Sequence, residues 1–144
     1  MKHIKIFLAL IFFICICASC GLFINRTDRH GERHGKWKHY WDKKIVQRKG
    51  KYRHGLEVGT WKYFDLKGIL TKKEEYNQAR YTIFTTTYYP DKKIESKGNA
   101  CLLEEPGNSL HYYWQGEWLY FDESGSIMRR EWYEKGVMVR KADQ

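Results

Sequence analysis

The 144-residue sequence predicts an all-β protein: an elongated, twisted antiparallel sheet built from about four successive β-hairpin repeats. Two observations carry this expectation. Residues 61–76, WKYFDLKGILTKKEEY, return without a gap fifty-seven residues later as WLYFDESGSIMRREWY, with seven of sixteen positions identical. That is internal repetition rather than chance, since unrelated stretches share roughly one residue in sixteen. Within each copy, Trp61 and Tyr63 alternate with Lys62 and Phe64, and Trp118 and Tyr120 with Leu119 and Phe121. This is the period-2 pattern of a strand, and aromatic residues suit a pleated, half-buried surface.

The turn and return strand follow from residue chemistry. Asp65 and Asp122 open four-residue turns through side-chain bonds to the backbone, and Gly68 and Gly125 supply the positive φ that closes them. Residues 69–76 then read as a return strand. A lone hairpin is marginal in water, so successive copies must pair edge to edge. A weaker copy begins with Gly35 and Trp37, which match Gly59 and Trp61, and Tyr40-Trp41-Asp42 matches Tyr63-Phe64-Asp65 if one residue is inserted as a bulge. It closes Tyr52-Arg53-His54-Gly55, as the last copy, with Gly116 at its head, closes Tyr133-Glu134-Lys135-Gly136. A degenerate copy runs from Tyr88 to Ile94, and its Pro90 predicts an edge strand or an irregularity.

The pattern Gly-x-Trp-x-Tyr-Phe-Asp-x-x-Gly followed by a closing Tyr resembles the MORN repeat over residues 34–137, and more narrowly its bacterial variant. The repeat positions are Gly35, Trp37, Gly59, Trp61, Tyr63, Asp65, Gly68, Tyr76, Gly116, Trp118, Tyr120, Asp122, Gly125, Tyr133 and Gly136. The resemblance implies a sheet of successive hairpins and no activity of its own, because these repeats serve as spacers, assembly surfaces and sometimes lipid-contacting modules.

Ahead of the repeats, residues 1–5 form a positive head and residues 6–16 an unbroken apolar run. With Ala18-Ser19-Cys20 these form a secretory signal over residues 1–19 that resembles a bacterial lipobox, although Cys17 stands where Leu is usual. The expected consequence is acylation at Cys20 and anchoring in a bacterial envelope membrane, facing the periplasm. The alternative is an uncleaved single span, since apolar or small residues continue to Ile24. Residues 20–33 then read as a basic linker and residues 138–144 as a charged tail.

From Cys20 onward the chain holds 24 basic and 17 acidic residues, a net +7. The excess is local: residues 26–54 carry eleven Lys or Arg against three acids, and residues 55–144 thirteen against fourteen. Lys36, Lys38, Lys43, Lys44, Arg48, Lys49, Lys51 and Arg53 are therefore candidate membrane or partner contacts, each worth on the order of 1 kcal/mol near an anionic leaflet. A solvated strand face whose lysines discourage edge association is the plainer reading.

His30 and His34 invite a metal, but Arg29, Arg33 and Arg53 stand beside them and no cysteine is near, so no metal and no cofactor are expected. Cys101 lacks a motif that would make it a nucleophile and reads as a strand cysteine. Residues 99–113 depart from the repeat, with a loop by composition at residues 104–109, and are a candidate partner-specific feature. No nucleotide loop, paired-carboxylate motif or metal spacing points to an enzyme. The leading expectation is a non-catalytic envelope lipoprotein whose repeat sheet binds an unidentified protein or assembles with itself. An anionic-lipid or envelope-glycan binder comes second, and an antitoxin or immunity-like protein third. Nucleic acid fits the charge but not an exported compartment.

Overall fold

The structure, a computed structural model, describes residues 23–105 and 109–143, with the side chains of Arg80 and of residues 104–110 left aside. It is a single open sheet of ten strands in which every strand pairs antiparallel with its neighbours in sequence. The strands are β1 (Arg26–Thr27), β2 (Arg33–Tyr40), β3 (Val46–Arg53), β4 (Leu56–Phe64), β5 (Leu70–Asn77), β6 (Thr82–Tyr88), β7 (Ile94–Glu105), β8 (Ser109–Phe121), β9 (Ile127–Glu134) and β10 (Val137–Asp143). One short 3-10 turn, Gln78–Arg80, joins β5 to β6. The all-β sheet of hairpins expected from the repeat is the architecture found.

The turns follow the predicted chemistry. Asp65 Oδ1 accepts from the amides of Lys67 at 2.9 Å and Ile69 at 2.8 Å, and Asp122 Oδ1 from those of Ser124 at 2.9 Å and Ser126 at 3.0 Å. Gly68 and Gly125 take φ of +77° and +88°. Just before each turn the ladder slips by one residue, at His39/Tyr40, Tyr63/Phe64, Thr87/Tyr88 and Tyr120/Phe121. The first three of these slips are 24 residues apart. The first copy therefore aligns with the second without the inserted residue that the sequence suggested. Trp41, not Asp42, takes the place of Asp65, since its amide donates to Ile45 O as that of Asp65 donates to Ile69 O.

Other expectations are corrected by strand pairing. Pro90 lies in the turn between β6 and β7, both interior strands, which overturns the edge strand, while the alternative of an irregularity stands in the one-residue slip at Thr87/Tyr88. Residues 99–105 and 109–113 do not leave the sheet but lengthen the β7–β8 hairpin, while residues 106–108 lie outside the described residues. The expected tail is strand β10, paired with β9. The expected linker contains β1, which pairs with β2 through Arg26 and Thr27.

A single-layer sheet has no second layer to bury a core, so the core lies along one face. There Trp61 is 0% exposed and Trp118 1% exposed. Each indole lies flat on a glycine of the preceding strand: a Cβ on Gly50 would stand 2.3 Å from the Trp61 ring, and one on Gly98 2.3 Å from that of Trp118. The indole N–H then reaches the carbonyl of the next residue, Lys51 at 3.1 Å and Asn99 at 3.0 Å. Neighbouring rings close over the two indoles, Tyr52 edge-on to Trp61 at 4.9 Å and Trp114 stacked on Trp118 at 4.2 Å.

Candidate functional site

Strand alternation divides the polar residues between the two faces, and they behave differently on each. On the aromatic face, Tyr63 Oη donates to Glu74 Oε2 at 2.5 Å, Lys72 Nζ donates to Glu74 Oε1 at 2.7 Å, and Tyr76 donates to Glu57. Arg48 Nη1 and Tyr52 Oη both donate to Glu57 Oε1, at 2.7 and 3.1 Å. The later copy repeats the device: Tyr133 Oη donates to Glu131 Oε2 at 2.6 Å, and Arg129 pairs with the same carboxylate at 2.8 Å. Burial opposes ionisation of Glu131, but the bonds from Tyr133 and Tyr120 and the Arg129 charge outweigh it and hold its carboxyl below the ordinary range. Burial, reinforced by the facing carboxylates, pushes the Tyr63 and Tyr76 hydroxyls up. These groups satisfy one another. The identical Trp, Tyr, Glu and Tyr of the repeat are the members of this network and of the core beneath it.

The opposite face carries a ladder of cations. Lys38 stands opposite Lys49, Lys49 opposite Lys62, and Lys62 opposite Lys73. The row continues through Thr86, Lys97 and Leu119 to Arg130. Beside it, Lys36 faces Lys51. Neighbouring strands lie about 4.8 Å apart, and like charges directly opposite one another destabilise a sheet. Lys73 and Arg130 are relieved by Glu75 and Glu117, each at 3.1 Å. Among the described residues, Lys36, Lys38, Lys49, Lys51 and Lys62 have no carboxylate partner. These five, with Ile24 and Thr60, line a shallow depression of about 390 Å³.

The contact residues expected from the sequence are thus separated. Lys36, Lys38, Lys49 and Lys51 share the lysine face, and Arg53 is exposed at the end of β3. Lys43 and Lys44 sit in the β2–β3 turn, while Arg48 points to the aromatic face and is engaged by Glu57. Lys62, Lys73, Lys97 and Arg130 were missed because charge was summed along the chain rather than along alternate positions, the count that finds them. A larger depression, about 750 Å³, lies between Trp41, Tyr63, Phe64 and Tyr88. Its cations Arg48 and Lys72 are already neutralised by Glu57 and Glu74.

Cys101 is a half-buried free cysteine of β7 opposite Tyr113, and His111 stands opposite Leu103. Asp28, His34 and His54 bring their ligand atoms within 4.8 Å of one another. Cys20 and the apolar run before it lie outside the described residues, among which no helix is long and apolar enough to cross a membrane. No family model, curated protein or solved structure matches the chain.

Proposed function

We propose that the chain is a non-catalytic, membrane-anchored protein of the cell envelope whose lysine face docks on an anionic surface of lipid head groups or envelope glycan. The observation that carries this reading is the set of five lysines without carboxylate partners, three of whose cross-strand pairs set like charges face to face. A sheet selected for stability alone places opposite charges or Thr at such positions. The depression abuts Ile24, where the sequence leaves its apolar run, so an anchored chain holds these lysines close to the head groups. Each then contributes on the order of 1 kcal/mol.

The test is amine acylation of the full chain in nanodiscs, read residue by residue by mass spectrometry. In discs containing anionic lipid or lipid-linked anionic glycan, Lys36, Lys38, Lys49, Lys51 and Lys62 are protected relative to neutral discs, whereas turn residues Lys67 and Lys135 are not. Raised salt removes the protection, because exposed charge contacts are screened. Equal reactivity in both kinds of disc overturns the docking. Failure to enter neutral discs overturns the anchor.

A second reading, the protein-interaction or assembly scaffold, is favoured by β10. All seven of its residues are exposed and its outer edge is free in the described sheet, with Val137 65%, Met138 49% and Val139 54% exposed. An unprotected edge strand is a template for another chain. Chemical cross-linking that yields a defined partner or oligomer, lost when Val139 becomes Pro, supports this second reading over the first.

A further inference from the structure

We infer that Asp28, His34 and His54 form a binding site for a divalent cation of borderline softness, with zinc as its natural occupant, which clasps the β1–β2 turn to the β3–β4 turn. The three residues come from separate segments: the turn after β1, the second position of β2, and the turn after β3. Asp28 Oδ2 and His54 Nδ1 are 2.9 Å apart, and the His34 and His54 rings lie 5.2 Å centroid to centroid. Zinc bonds to His nitrogen and carboxylate oxygen at about 2.0–2.2 Å in tetrahedral geometry, which places ligand atoms about 3.3 Å from one another. One edge is already that short. The others close from within 4.8 Å by rotation of His34 and His54, both exposed.

The carboxylate is held ready for this role. Asp28 Oδ1 accepts the amides of His30 at 2.8 Å and Glu32 at 3.1 Å, which fixes the group and leaves Oδ2 aimed at His54. Such outer bonds are what orient a metal ligand. The turn itself does not call for histidine. His54 and Gly55 both take positive φ, at +48° and +74°, as do Lys135 and Gly136 in the matching turn after β9. Asn or Asp is the residue such a turn prefers ahead of its glycine.

The arginines that argued against a metal in the sequence have other partners. Arg33 donates to Tyr52 Oη at 3.2 Å, and Arg29 donates to His30 Nε2 at 3.0 Å. Arg53 is exposed to solvent, where its field is screened. Sequence spacing pointed to His30 as the partner of His34, but His30 is taken up by Arg29 and the fold supplies His54 and Asp28 instead. Two imidazoles and one carboxylate, with a fourth position for water, suit zinc, cobalt, nickel or copper rather than magnesium or calcium.

The probe is Co²⁺ alone, added to the full chain in detergent after chelation. The expected result is one equivalent with the visible bands of tetrahedral cobalt, displaced by Zn²⁺. His34→Ala and His54→Asn weaken binding on the order of tenfold or more, and His30→Ala leaves it unchanged. His54→Asn suits the left-handed turn, so it keeps the fold, and Zn²⁺ raises the melting temperature of the wild type but not of this variant. Absent bands, or bands that survive in both His34→Ala and His54→Asn, overturn the site.

Discussion

The two faces of the sheet are made by alternate residues of the same strands, yet they answer to different demands. On the aromatic face each of three buried or half-buried carboxylates holds a cation: Glu57 holds Arg48, Glu74 holds Lys72 and Glu131 holds Arg129, while Arg33 lies against the Tyr52 hydroxyl. On the other face Lys38, Lys49 and Lys62 stand in line with none. Both arrangements repeat from hairpin to hairpin, so neither is an accident of one loop. The first is what holds a one-layer sheet together. The second works against the sheet, since like charges directly opposite one another destabilise it.

The largest expected effect lies under the tryptophans. Gly50→Ala and Gly98→Ala drive a methyl into an indole that has no room to move, and each costs about 3 kcal/mol or more in chemical denaturation. Trp61→Ala and Trp118→Ala cost about 3–5 kcal/mol. A change within about 0.5 kcal/mol at either glycine would mean that the rings do not lie on the strand and that the aromatic face is open. Next comes the polar network. Glu74→Gln leaves Lys72, Tyr63 and Tyr76 without their charged acceptor and costs about 2 kcal/mol, whereas Glu75→Gln on the lysine face stays near zero. Equal effects would erase the contrast between the faces.

His39 offers a pH readout of the same contrast. It occupies the place that Tyr63 holds one repeat later, among the Trp37, Tyr52 and Trp61 rings, and its Nε2 has no hydrogen-bond partner. Burial lowers its pKa below 6.5, and the charges of Arg48 and Arg33 lower it further. The unfolded chain therefore takes up this proton first as pH falls. The contribution of neutral His39 is complete above pH 6.5 and is lost as pH drops below that value. His39→Tyr is expected to flatten the decline in stability between about pH 7 and pH 5, measured by denaturation at both. An unchanged slope would place His39 in water. The smallest effect is the most telling for function. Lys62→Thr removes the like-charge contacts with Lys49 and Lys73, so it stabilises the sheet by up to about 0.5 kcal/mol while weakening docking on anionic nanodiscs. A loss of stability would make the ladder structural.

Much of this was legible in the chain because hairpins are local objects. Asp65 and Gly68 specify their turn within four residues, and the alternation of Trp61 and Tyr63 with Lys62 names a strand without reference to anything distant. The errors have a common cause. Pro90 was assigned to a strand because its position relative to the turn depends on a register slip. The segment after Gly136 read as a tail because Val137 to Asp143 becomes a strand only once β9 is there to accept it. Asp28 was invisible as a partner of His54 because 26 residues separate them and no spacing rule links them.

By itself the sequence determined the unit: a two-stranded, aromatic-faced hairpin with an Asp-initiated, Gly-closed turn, repeated along the chain. Both turn geometry and side-chain alternation are set by neighbours a few residues away, so they survive in the one-dimensional text. Only the tertiary structure decided what each unit lays against the next. Lateral pairing puts Gly50 under Trp61 and Gly98 under Trp118, aligns single lysines of successive strands into a ladder, and brings Asp28 beside His54. Those contacts depend on cross-strand register, in which a shift of one residue moves every side chain to the other face.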